Sequence, residues 1–188
     1  VIGDDITADV AGINFDQQVT LTSGTADDTI VFTGAGGAGE NITLNTVLNS
    51  LSNENLELVA GDGSITANAI NLETAGVGTG DLTITSALDA TFNGTVDVEN
   101  FSQAVGTGTT TFNQAFDVET AFGFTGQNLT VNAVGNTVGG DMTVTNAGTF
   151  TTADASTIVV TVAYLQDGAG TSSIGGDLTG TTDLTFQQ

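Results

Sequence analysis

The chain of 188 residues carries 22 acidic side chains and not one Lys, Arg or His, for a formal charge of −22. Without a basic side chain it has no internal side-chain ion pair and no grip on nucleic-acid or lipid phosphates, so nucleic acid is excluded as a partner. Zero Cys excludes disulfides and thiolate metal sites, while 39% hydrophobic residues and a mean hydropathy of +0.19 separate the chain from a disordered acidic tail.

Taken in chain order, short alternating segments recur. "VIGDDITADVAGINF" alternates from the start; "NITLN" (41–45), "NLELV" (55–59) and "DLTIT" (81–85) follow. Then come "TFNGTVDVENF" (91–101), "TFNQAFDVETAF" (111–122), "NLTVN" (128–132), "DMTVT" (141–145) and finally "DLTF" (183–186). Each places apolar residues two apart between Thr, Asn or Asp, the signature of a short half-buried strand, and Gly-containing turns separate them. The expected fold class is all-β.

Spacing narrows the architecture. The "TFN…DVE" copies lie twenty residues apart, and "GDLTIT" at Gly80 returns as "GDMTVT" at Gly140, three such steps on. A repeat of that length, with two or three strands per copy, is one coil of a parallel β-helix, or β-solenoid. At roughly 20–24 residues per coil the chain makes about eight or nine coils in a single domain. Residues 1–38 read as an N-terminal coil or cap region and 39–188 as the repeats. Leu82, Ile84, Phe92, Val98, Phe112, Val118, Met142 and Val144 are expected to point inward, and "NITLN" is expected two steps before "GDLTIT". "NLTVN" fits no step.

The stretch "NLELVAGDGSITANAINL…TGDLTITSALDATFNGTVDVENF" resembles the strand repeats of bacterial filamentous haemagglutinins and autotransporter passengers, over residues 39–152. The resemblance implies a right-handed parallel β-helix outside the cell, used for adhesion or extracellular structure. It brings no shared catalytic residues. The brevity of this chain and its lack of basic residues depart from that pattern.

Two other motifs compete. Gly34, Gly36 and Gly39 form G-x-G-x-x-G after an apolar stretch, with Leu44, Val47, Leu48 and Leu51 at helical spacing and Glu57 further on. A Gly-rich turn followed by one short helix over 43–52 is the preferred reading over a dinucleotide fingerprint, since no strand–helix alternation follows. Paired carboxylates can cleave glycosides, but no Trp or Arg is present to hold a sugar. The expectation is a chain that is not an enzyme.

The carboxylates form the candidate site. Stacking coils places Asp97 over Asp117 and Glu99 over Glu119, which protonation, splaying into solvent or a bridging cation would relieve. Oxygen ligands alone suit a hard ion, so structural Ca²⁺ is the candidate cofactor, and Asp27, Asp28 and Asp62 are secondary candidates elsewhere in the chain. The chain shows no initiator Met, signal peptide or membrane-spanning apolar run, and is read as a mature product or an excised segment, secreted or at the cell surface and not membrane-inserted.

Neither end carries the Lys or Pro that guards a strand edge. Head-to-tail stacking of identical subunits into an extracellular filament, a biofilm-matrix type of fibre, is therefore the leading expectation. A spacer rod of a large adhesin is the second. Ice binding through Thr83/Thr85 and Thr143/Thr145 is the third, with varying coil lengths arguing against a regular lattice.

Overall fold

The structure, a computed structural model, describes residues 1–8, 12–23, 28–34, 40–74 and 78–187. Among these there are 25 strands and no helix. The chain winds through three parallel faces in a fixed order, one short strand on each face per coil. Face I begins with Ile6–Ala8, Thr29–Gly34, Asn55–Val59 and Leu82–Ser86, and ends with Met142–Asn146, Ala163–Asp167 and Asp183–Phe186. Face II runs from Ile13–Phe15 through Ile42–Leu44, Ile65–Ala67, Ala90–Phe92, Thr109–Phe112, Asn128–Val131 and Thr149–Thr152 to Thr171–Ile174. Face III begins at Val19–Leu21 and Leu48–Ser50 and ends at Asn136–Val138, Thr157–Val160 and Asp177–Gly180. Two long strands, Val96–Gln103 and Phe116–Gly126, turn the corner from face III to face I without a break.

The rod has about seven coils, fewer than the uniform repeat implied. Face II partners show why: Ile13 meets Ile42 and Ile65 meets Ala90, long steps in the first half, whereas Ala90 meets Thr110 and Thr110 meets Leu129 at steps of about twenty. At a strand separation of about 4.8 Å this gives a rod roughly 35 Å long. The sixty-residue echo is real, since Leu82 pairs with Phe101, Phe101 with Phe122 and Phe122 with Met142. "NITLN" is not part of it. Ile42–Leu44 lies on face II and Leu82–Ser86 on face I, so their likeness comes from similar strand chemistry on different faces. "NLTVN" fits no step from them because it, too, is a face II strand.

The helix expected over 43–52 is absent. Ile42–Leu44 and Leu48–Ser50 are strands on faces II and III. Leu44 and Leu48 are buried from two sides of a corner, while Val47 and Leu51 are 40% and 57% exposed. The helical spacing arose from a bend between two strands, and Thr and Asn are weak helix formers there. With no helix behind Gly34, the dinucleotide fingerprint loses the context it requires; Gly36 and Gly39 lie outside the described residues.

All eight inward residues expected from the alternation are at most 1% exposed. The middle of the core is aromatic: Phe92 stacks on Phe112 at 4.8 Å between centroids, Phe101 on Phe122 at 4.7 Å, and Phe116 meets Phe112 edge-on at 5.0 Å. Corners are tight. A Cβ on Gly140 would lie 2.0 Å from the Thr120 carbonyl oxygen of the coil beneath, so the "GD" motif needs Gly where backbones cross. Its Asp has a job as well: Asp141 Oδ1 accepts the Ala163 N–H of the next coil at 3.2 Å, as Asp5 accepts Val31 N–H and Asp89 accepts Thr109 N–H.

Phe112 touches four buried rings, those of Phe92, Phe101, Phe116 and Phe122, and Phe112→Ala is expected to cost about 3–5 kcal/mol in urea unfolding. Exposed Val105→Ala is expected to stay within about 0.5 kcal/mol.

Candidate functional site

Val96, Val98, Phe116 and Val118 point into the core, which turns Asp97 and Asp117 outward on face III. The two are register partners, as their spacing predicts. The glutamates are not. The register slips by one between Val98 and Asn100, which pairs with Ala121, so Glu99 faces a bulge formed by Glu119 and Thr120. The column is otherwise neutral: Asn49 pairs with Asn71, Asn71 with Asp97, and Asp117 with Thr137. Thr137 donates its hydroxyl to Asp117 Oδ1.

A further carboxylate joins from outside the repeat. Past Asn71 the chain makes an antiparallel excursion, Glu73–Thr74 against Gly78–Thr79, whose first residue donates its N–H to Asn71 Oδ1 at 3.0 Å. Half-burial, then the charges of Glu73 and Asp117, then a hydrogen bond with Glu73 and the charge of Glu119 push the Asp97 carboxyl up to about 6. The shift favours the neutral form of Asp97, which is one of the ways such repulsion is relieved.

The described secondary candidates lie elsewhere on the rod. Asp62 is exposed on the corner between faces I and II, and Asp28 precedes a face I strand, where its carbonyl accepts the Asn55 N–H at 2.7 Å. Asp27 lies outside the described residues. Among the described residues no group of three or more carboxylates is placed to hold a metal ion.

Sequence reasoning missed a second carboxylate. Glu54 is fully buried at the corner between faces III and I, in a chain with no Lys, Arg or His to pair with it. Its Oε2 accepts from the Ser50 hydroxyl at 2.5 Å and Ser52 N–H at 3.1 Å; its Oε1 accepts from the Ser52 hydroxyl at 2.7 Å and Ser23 N–H at 2.9 Å. Burial alone would raise this carboxyl, but the hydroxyl bonds of Ser50 and Ser52 with the backbone bonds outweigh it and hold it at about 2. The available signal was the run of hydroxyls in "NSLSNEN", two to four residues before the acid.

A shallow groove of about 440 Å³ follows the corner between faces I and II, floored by Gly106, Gly126 and Ala147, and no titratable side chain lines it. No helix among the described residues is long and apolar enough to cross a membrane.

Compared with protein-family models, curated proteins and solved structures, the chain matches none. The fold itself defines its class: a β-solenoid repeat protein.

Two carboxylates with opposite shifts give a two-sided pH profile. Asp97 is raised from 3.8 to about 6, so its contribution is fully present below 3.8 and is lost as pH rises through about 6. Asp97→Asn should therefore melt higher than the parent at pH 7.5, with the gap closing toward pH 4. Glu54 is lowered from 4.5 to about 2, so its contribution is present above 4.5 and is lost as pH falls through about 2. Glu54→Gln, which points an amide N–H₂ at existing donors, should cost about 1.5–3 kcal/mol at pH 7.

Proposed function

We propose that the chain is a structural rod that assembles head to tail with copies of itself into an extracellular filament. The observation that carries this reading is the partly uncovered core of the first and last described coils. In the last coil Leu184 and Phe186 are 46% and 49% exposed, and in the first coil Ile2, Ile6 and Phe15 are only partly buried. The end strands Ile6–Ala8, Ile13–Phe15, Thr171–Ile174, Asp177–Gly180 and Asp183–Phe186 leave their outer edges unpaired among the described residues, while Ile2 bridges to Leu21 on face III. The corner bonds have a direction that suits stacking. Asp5, Asp89 and Asp141 each accept an N–H from the following coil, and Asp183, register partner of Ala163, holds that position at the open end. The resemblance of residues 39–152 to secreted and surface β-helices supports the extracellular placement.

Electron microscopy of the purified chain tests the proposal: filaments of one narrow width support it, and discrete short rods at high concentration overturn it. Asp4 and Asp5 at one end meet Asp177 and Asp183 at the other, so assembly should quicken when salt is raised well above about 0.15 M. Calcium is the second part of the proposal. Millimolar calcium should raise the melting temperature, and the rise should vanish in Asp97→Asn if the ion bridges Asp97 and Asp117.

A further inference from the structure

Face II presents to solvent a column that no other face matches. Thr43, Thr66, Thr91, Thr111, Thr130 and Thr151 are consecutive register partners through six coils. Asn14 continues the column at one end and Ser173 at the other. The coils differ in length, but the excess is taken up at the corners and the face II register never slips. The two slips that do occur lie at Ile84/Ser86 on face I and Val98/Asn100 at the corner of faces III and I. Thr83 and Thr143 are no array by comparison, because Ser102 and Gly123 stand between them on face I.

Four features make the column a surface for ordered water. Its hydroxyls repeat at the strand separation of about 4.8 Å, and β-branching restricts each χ1 to few states. None of the six hydroxyls has a hydrogen-bond partner among the described residues, whereas the amides alongside are spent on one another: Asn113 donates to Asn93 Oδ1 at 3.0 Å and Asn132 to Asn113 Oδ1 at 2.9 Å. Charge is also sparse. Across this column and the two beside it, Asp89 and Asp16 alone are ionisable, the Oδ1 of Asp89 occupied by the Thr109 N–H at 2.7 Å and that of Asp16 by the Asn45 amide at 2.6 Å. Faces I and III carry Glu57, Asp97 and Asp117 in the equivalent outward places.

The geometry points to face II as an ice-binding face, on which the threonine column holds water in a repeat close to the oxygen spacing of an ice plane. A crystalline polysaccharide would need aromatic rings to grip it, and Phe92, Phe112 and Phe150 all point inward. This inference is independent of filament assembly.

The test is thermal hysteresis and crystal shape, measured on single ice crystals in solutions of the purified chain. The parent chain is expected to halt growth and facet the crystals, and Thr91→Lys/Thr111→Lys is expected to lose both effects while keeping the parent's circular dichroism and melting. Asn49→Lys/Thr179→Lys, on face III, should keep them. A parent chain with no thermal hysteresis overturns the proposal, and so does equal loss in the face III variant. Retention on crystalline chitin or cellulose without any effect on ice also overturns it.

Discussion

The rod depends on one constraint: every coil must satisfy the backbone N–H and C=O groups of its neighbour in register. A parallel stack leaves no choice of partner, because slipping by one residue would turn the inward set of each strand out to solvent. That ladder also explains how a chain with 22 acids and no side-chain cation stays folded. The positive ends of its dipoles are backbone N–H groups and the hydroxyl and amide donors of Ser, Thr and Asn. Asp89 and Asp141 are held by the next coil's N–H, Glu54 by two serines and two backbone groups, and Asp117 by Thr137. Where such donors run short, as at Asp97 beside Glu73 and Asp117, the carboxyl moves toward its neutral form.

Much of this was legible in the residues. Alternation located the strands, and the twenty-residue echo of "TFN…DVE" located the coil, since both depend on local chemistry that repeats. Three features were hidden, each for a physical reason. Strands of faces I and II use the same Leu-Thr-Ile and Ile-Thr-Leu vocabulary, so "NITLN" and "DLTIT" look equivalent until the corners are placed. Leu44 and Leu48 mimic one helical face because a corner brings two strands' inward residues four apart. Glu99 and Glu119 share a spacing with Asp97 and Asp117 but fall on a bulge, which periodicity cannot reveal.

The site was legible in part for the same reason. Asp97 over Asp117 followed from the period alone. Glu73 did not, because it arrives on an excursion outside the repeat, and Glu54 did not, because it is recognised only by what surrounds it. The threonine column was visible as residues and invisible as a surface. Steps of about nineteen to about twenty-five residues look irregular in the chain, and only the constant face II register aligns them.

The central claim is that register, and a distance across several coils tests it most directly. Spin labels at Thr43→Cys and Thr151→Cys sit 108 residues apart in the chain and five coils apart on face II. Pulsed dipolar spectroscopy should return one narrow distribution centred near about 24 Å, five strand separations, widened only by the label linkers. A broad distribution, or a centre displaced by a coil or more, would contradict the stacked arrangement on which every column, corner bond and open end described above rests.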